Sequence, residues 1–193
     1  MSVPVVIEGD GQKERAYDLY SRLLKDRIIF IGRPFTPDMA NSVVGQLLFL
    51  EADNPDKEIT MYINSPGGEV TSCLAIYDTM NYIKPDISTV CIGEACSAAS
   101  FILASGTKGK RYALKSARIM MHQISGGAGG SVQDVVIRVK EMERLNDIMV
   151  TEYSEILGKT EKQIKKDMDR DNFMSALEAK EYGLVDSVLM KRE

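Results

Sequence analysis

The chain has 193 residues, with 44% hydrophobic and 27% charged side chains, the composition of one folded domain rather than of a disordered segment. Lys and Arg number 24 against 28 Asp and Glu, a net charge of −4, which excludes a nucleic-acid protein dominated by phosphate contacts. The longest weakly polar run, Ala95 to Thr107, is too short and too rich in Ser to span a bilayer. No basic lead precedes an apolar stretch in Met1 to Glu8, so a secretory signal is not expected. Three Cys (Cys73, Cys91 and Cys96) without a CxxC pair point to a reducing, cytoplasmic setting. The single histidine, His122, excludes a zinc site built on two or three His of one chain, and no metal or cofactor is expected.

Along the chain, a polar segment from Glu8 to Glu14 with Gly9 and Gly11 precedes a short helix marked by Ala16, Tyr17, Tyr20, Leu23 and Leu24. Arg27 to Ile31 predicts a strand. Thr36-Pro37-Asp38 is a helix start: a hydroxyl cap, a Pro whose missing N–H costs nothing there, and an acid in the first turn. Ala40, Val43, Val44, Leu47 and Leu48 continue at helical spacing until Asn54-Pro55. Ile59 to Ile63 predicts a strand, followed by the turn Asn64-Ser65-Pro66-Gly67-Gly68 and a helix through Leu74, Tyr77 and Met80. Ile87 to Ile92 predicts the next strand, ending at Gly93, with a small-residue helix from about Ala98 to Ser105. A strand from about Ala117 to Gln123 leads into the glycine-rich stretch Ser125 to Gly130. The C-terminal part carries capping boxes at Thr160…Gln163 and Ser175…Glu178, a stop at Gly183, and a last strand from Leu184 to Leu189. Strands alternating with helices predict an α/β domain with a largely parallel sheet.

One predicted helix is out of proportion. Ser131 can cap a helix whose apolar positions run Val132, Val135, Val139, Met142, Leu145, Met149, Tyr153 and Ile156, ending at Leu157-Gly158. Its length of roughly 40 Å matches the diameter of roughly 40 Å expected of a whole domain of this size. Either it lies along the domain surface or it projects, and a projecting apolar stripe predicts self-assembly.

Three features lie at strand exits, where α/β proteins build sites. Gly93-Glu94-Ala95-Cys96-Ser97-Ala98-Ala99 puts Ser97 at a helix start, where free N–H groups can stabilise an oxyanion, although a Ser there is usually only a cap. His122 ends a strand directly before a loop with free backbone groups, although a lone His is usually a satisfied core residue. Ser65-Pro66-Gly67-Gly68 can expose N–H groups, and can equally be an ordinary tight turn. Singly they are weak; together they supply a nucleophile, a base and oxyanion donors on one sheet.

Ile63-Asn64-Ser65-Pro66-Gly67-Gly68, Ala75-Ile76-Tyr77-Asp78-Thr79-Met80, Gly106-Thr107-Lys108-Gly109-Lys110-Arg111, Met121-His122-Gln123, Asp169-Arg170-Asp171-Asn172-Phe173 and Glu181-Tyr182-Gly183-Leu184-Val185-Asp186 carry a resemblance. They are similar to the proteolytic subunit of the Clp protease (ClpP), and the similarity runs from about Pro4 to Leu189. The resemblance implies one domain over residues 1–193 with the ClpP/crotonase-type α/β fold of repeated β-β-α units. Its N-terminal segment (about 1–18) would surround an axial pore, and a handle loop and helix (about 123–157) would interlock two rings. It further implies a serine endopeptidase for unfolded polypeptides, inside two stacked heptameric rings fed by an ATP-driven unfoldase of the ClpX, ClpA or ClpC type. Protein quality control would be its cytoplasmic role. By the same resemblance Ser97 is the nucleophile, His122 the general base and acid, and Asp171 the orienting carboxylate. Position alone leaves Asp167, Asp169 and Asp186 as competitors for that last role. Gly68 and Ala98 match the oxyanion hole. Gly68, Glu69, Val70 and Ile124, Ser125, Gly126, Gly127 match the backbone that binds substrate as an added strand. Asp169 and Arg170 match a ring–ring contact, otherwise a solvated charged pair. Leu48, Tyr62, Tyr82, Tyr112 and Leu189 match an unfoldase-binding cleft, otherwise core.

Two departures stand out. The family's usual Met-Gly-Ala after the nucleophile is here Ala98-Ala99-Ser100, and its Pro after His-Gln is Ile124. Ala98 keeps its N–H, but the smaller side chain implies a changed P1 preference. Two other readings are a weakly active or structural subunit of a ring mixed with a second ClpP paralogue, and a crotonase-type acyl-CoA enzyme using Glu69 and Glu94.

Overall fold

The computed structural model of the chain describes residues 3–9 and 14–191. It opens on an antiparallel hairpin of β1 (Val5–Glu8) and β2 (Arg15–Asp18), followed by α1 (Leu19–Lys25). Ala16 and Tyr17, predicted as helix, pair with Ile7 and Val6 in β2 instead. The helix starts only at Leu19 because extended Asp18 caps it, accepting from the Ser21 N–H. Gly11 of the predicted polar segment lies outside the described residues.

The next elements follow the predicted alternation, β3 (Ile28–Ile31), α2 (Pro37–Asp53), β4 (Ile59–Ser65), α3 (Val70–Tyr82), β5 (Ile87–Cys96) and α4 (Ala98–Ala104), and a strand that was not predicted, β6 (Arg111–Leu114), comes after them. The parallel sheet has the order β3-β4-β5-β6, with β9 (Ser187–Leu189) beyond β6. In β4 the period-2 pattern buries Ile59, Met61, Ile63 and Ser65 and turns Thr60 and Tyr62 to the other face. Val43, Leu47 and Leu50 of α2, Cys73 and Ile76 of α3 and every apolar residue of α4 join the buried cluster with Met61 and Ile63. Each large side chain so buried contributes about 1.5–3 kcal/mol over leaving it in water. Thr36 caps α2 as its hydroxyl predicts, and the C-terminal carbonyls of α2 and the following turn receive the buried Arg27 guanidinium, which donates to Leu50, Asn54 and Lys57, each at 2.9 Å.

Strand β5 forks. Thr89 to Cys91 pair with β6, while Glu94 to Cys96 pair with β7 (Arg118–Met121), itself paired antiparallel with β8 (Asn172–Ser175). The predicted end at Gly93 is wrong for a physical reason. A Cβ on Gly93 would collide with the Asn64 side chain, so this glycine permits a close approach at the β4–β5 register shift rather than stopping the strand. The strand predicted from Ala117 to Gln123 is shorter, because Ala117 N–H closes a turn on Leu114 C=O and Gln123 N–H leaves for Met168 C=O. Leu184 and Val185, predicted as strand, instead donate back to Ala179 C=O behind α7 (Ala176–Tyr182), so β9 begins at Ser187. Ser175…Glu178 forms the full capping box; Thr160 caps α6 (Glu161–Asp167), but the Gln163 amide turns to Asp167 rather than to the cap.

The long helix α5 (Val132–Leu157) is capped by Ser131 and closed by Gly158 in the left-handed region (φ 63°). Only Met149, Val150 and Tyr153 are buried, whereas Val132 is 76% and Ile137 64% exposed. The helix therefore leaves the core, with only its C-terminal turns packed. Among the described residues no helix is long and apolar enough to cross a membrane.

Candidate active site

The fork in β5 brings three strand ends together. Cys96 pairs with Met120, and Met121 pairs with Asn172, so β5, β7 and β8 lie side by side in fixed register. Ser97 follows β5, His122 follows β7 and Asp171 precedes β8, which places all three on one edge of the sheet. Further bonds fix the edge: Ser97 N–H donates to Met120 C=O (2.7 Å), Gln123 N–H to Met168 C=O (2.5 Å) and the Gln123 amide to Asp169 C=O (2.8 Å).

Within this frame His122 Nε2 lies 2.9 Å from Ser97 Oγ, and His122 Nδ1 lies 2.9 Å from Asp171 Oδ1. A carboxylate at Nδ1 accepts a hydrogen bond from Nδ1–H and keeps the proton on that nitrogen, leaving Nε2 free to accept from a hydroxyl. Such a line can draw a proton off Ser97 and hold the resulting imidazolium beside a charge. Ser97 itself has φ 56° and ψ −125°, a conformation that costs a non-glycine residue about 1–3 kcal/mol. The cost leaves its hydroxyl projecting between β5 and α4 rather than folded back as a helix cap, and no side-chain cap bond forms.

The turn after β4 closes the other side. Gly67 has φ 93°, and a Cβ there would stand 2.5 Å from Cys96 O and 2.7 Å from Ser97 Cβ, so only glycine lets the turn reach the serine. Gly68 lies beside Phe35, whose N–H donates to Gly67 C=O and whose C=O accepts from Glu69 N–H. Neither Gly68 N–H nor Ala98 N–H has a backbone acceptor among the described residues outside regular elements. Two free donors flanking a hydroxyl can hold a developing oxyanion. Gly68, Val70, Cys73, Ser97, Ala98, His122, Ile124 and Ser125 line a cavity of about 50 Å³ closed by Met149, Tyr153 and Met168. That volume suits a small side chain or one or two waters.

Of the expected substrate-binding residues, Gly68, Val70, Ile124 and Ser125 reach this cavity; Glu69, Gly126 and Gly127 do not line it. Ile124 N–H donates to the Asn146 amide oxygen of α5 (3.1 Å). Asp169 and Arg170 are both exposed and 3.7 Å apart. Leu48, Tyr82 and Leu189 are exposed and Tyr62 and Tyr112 half-buried, so none of the five sits in the core. Tyr62 and Tyr112 are both in register with Val90 and share the sheet face opposite Met61. Cys96 is buried and directed at Glu94 (3.9 Å), and burial pushes its thiol pKa up, which disfavours a thiolate nucleophile. Glu94 pairs with Arg118 (3.1 Å) and Glu69 bonds Thr71 and Ser72, so both carboxylates are engaged away from Ser97. Among the described residues no group of three or more His, Cys, Asp or Glu could hold a metal ion. Reasoning from sequence marked the Ser65-Pro66-Gly67-Gly68 turn but missed Cys73, Met149, Tyr153 and Met168 as lining residues; helical periodicity marked Met149 and Tyr153 only as apolar positions.

The sequence that builds this site matches a known protein family. The family described as Clp protease matches residues 11–192, nearly the whole chain. The mixed α/β architecture with its parallel sheet is consistent with that family's fold. The chain belongs to the Clp protease family, a family of peptidases.

Proposed function

We propose that this chain is the proteolytic subunit of an ATP-dependent Clp protease, a serine endopeptidase acting on unfolded polypeptides. The observation that carries the reading is the hydrogen-bonded line from Ser97 through His122 to Asp171, with both contacts at 2.9 Å. His122 Nε2 takes the Ser97 proton as Oγ attacks the scissile carbonyl. The oxyanion then forms against the N–H groups of Gly68 and Ala98. The imidazolium, steadied by Asp171, returns the proton to the leaving amine, and water repeats the sequence to release the acyl group. Substrate docks as an extended strand between the Gly68–Val70 and Ile124–Gly127 segments, so recognition runs mainly through main-chain bonds and tolerates many sequences. With Ala98 after the nucleophile and a cavity of about 50 Å³, small P1 side chains are favoured.

The exposed apolar side chains on the N-terminal half of α5 and the exposed Asp169–Arg170 pair support assembly into two stacked heptameric rings, of this chain alone or mixed with a paralogue. The aromatic sheet face at Tyr62 and Tyr112, with Leu48, Tyr82 and Leu189, is the docking site for the apolar loop of the unfoldase. The N-terminal hairpin would border the axial pore. A panel of fluorogenic peptides tests the chemistry: the native protein cleaves, preferring small P1 residues, and Ser97→Ala does not. Cleavage surviving in Ser97→Ala would rule the mechanism out.

A further inference from the structure

Behind the serine lies a polar chain that the proposed mechanism does not use. Ser100, in the first turn of α4, is 0% exposed, and Tyr153, near the end of α5, is 2% exposed. Ser100 Oγ lies 2.7 Å from the Ser97 carbonyl oxygen and 2.9 Å from the Tyr153 hydroxyl. A carbonyl can only accept, so the Ser100 hydroxyl donates to Ser97 C=O and its own oxygen accepts from Tyr153. Burial raises the Tyr153 phenol pKa, which keeps it a donor. The Ser97 carbonyl thus takes three donors, counting Ser100 N–H (3.0 Å) and Phe101 N–H (3.3 Å).

A serine bonding back to the carbonyl three residues earlier is by itself ordinary in helices. Two observations lift this instance above that. A tyrosine from a different helix fixes the serine rotor, and its ring is held edge-on to Phe101 at 5.0 Å. Moreover, Ser97 C=O and Ala98 N–H are the two ends of one planar peptide group. Fixing the oxygen fixes the direction of the N–H, and hydrogen bonds received by the carbonyl polarise the peptide and strengthen its N–H as a donor.

We infer that Ser100 and Tyr153 are positioning residues, forming a buried Tyr153→Ser100→Ser97 relay that aims and polarises the Ala98 N–H toward the reacting oxyanion. The inference rests on the peptidase reading and deepens it. The relay also stabilises the left-handed Ser97 backbone, which needs its surroundings to hold it. Tyr153 forms part of the cavity wall and Ser100 does not, but neither hydroxyl donates to the oxyanion, so removing a hydroxyl while the Tyr153 ring keeps the wall in place acts on the transition state.

The experiment compares the native protein with Ser100→Ala, Tyr153→Phe and the double variant, by peptide kinetics and by the rate of fluorophosphonate reaction at Ser97. Removing an oxyanion donor outright lowers turnover about 100- to 1,000-fold; the relay weakens a donor without removing it, so Ser100→Ala is expected to lose about tenfold in kcat. KM and the midpoint of the pH profile should stay unchanged, since His122 and Asp171 are untouched. Phosphonylation should slow by the same factor. Tyr153→Phe is expected to lose about threefold, and the double variant to match Ser100→Ala, because Tyr153 acts only through Ser100. Should Ser100→Ala lower the melting midpoint, Tyr153→Phe, which removes one oxygen and keeps the ring packing, decides. Native kcat and phosphonylation rate in both variants, or a change in KM alone, would overturn the inference while leaving an active native enzyme and the peptidase reading intact. A native protein inert to both probes would overturn both together.

Discussion

At Ser97 the backbone, not the side chain, carries the unusual feature. A serine beginning a helix would normally fold its hydroxyl onto the first turn, and the left-handed φ of 56° prevents that. His122 and Asp171 then complete a proton path whose outer end is wet, because the Asp171 side chain is 59% exposed. Water screens such a carboxylate, so its loss should cost less than that of a buried one. Asp171→Asn is expected to lower kcat about 100-fold, near the lower end of acid–base contributions. Steady-state kinetics check this, and a variant turning over like the native protein would remove Asp171 from the mechanism. Cys96→Ala should leave turnover unchanged, since the thiol faces Glu94 and not His122. Ser97 and His122 could be marked as candidates because each stands at the end of a strand, but position alone left both weak and only the family resemblance assigned their roles. Asp171 could not be marked that way: its place depends on the β7–β8 register, which joins residues some fifty apart in sequence (His122 to Asp171, separation 49), and three neighbouring Asp look the same locally.

At the scale of elements, what could be read was whatever is set locally. Caps at Thr36, Ser131 and Ser175 and the glycine stop at Gly183 mark their helices from side-chain chemistry within one turn. Strands β1, β2, β6 and β8 were missed: none carries an unbroken apolar run like Ile28–Ile31 of β3, and β6 and β8 owe their pairing to partners distant in sequence. The same non-local logic holds β6 to the approach of β9. Asp186 accepts from Arg111 Nε (3.0 Å) and Nη2 (2.7 Å) and from the N–H groups of Arg111 (3.0 Å) and Gly109 (2.8 Å). Burial pulls the Asp186 pKa up, yet the Arg111 guanidinium and the N–H donors outweigh it and hold the carboxyl below its ordinary value. A depressed folded pKa contributes stability above the unfolded value, about 3.9, and that stability is lost as pH falls through the lower folded value. Asp186→Ala strands a buried guanidinium and is expected to cost about 3 kcal/mol by urea denaturation at neutral pH. Its stability should also fall less steeply than that of the native protein below about pH 4. Equal stability of the two proteins at neutral pH would show the pair to be dispensable.

For the whole molecule, the outstanding fact is how much apolar surface one chain leaves uncovered. Val132, Val136, Ile137 and Val139 are exposed along the N-terminal half of α5, and Phe49, Tyr82 and Leu177 elsewhere. A monomer rarely leaves so long an apolar helix in water, and large uncovered patches mark interfaces. The sequence pointed to this in the length of the helix but left open whether it lies along the domain or projects; the exposure of Val132, Val136, Ile137 and Val139 favours projection. Sedimentation should therefore give a particle many times the 21.4 kDa of one chain. On the proposed two-ring assembly, Arg170→Ala should yield particles of half that mass. A native chain sedimenting as a monomer would contradict the assembly. The proposed chemistry turns on one hydroxyl, and the most direct measurement is reaction of the intact protein with a fluorophosphonate, followed by peptide mass spectrometry. The account predicts a single phosphonyl group on Ser97, absent in Ser97→Ala and strongly slowed in His122→Ala. A native protein left unmodified at Ser97, or one whose labelling is indifferent to His122, would contradict it.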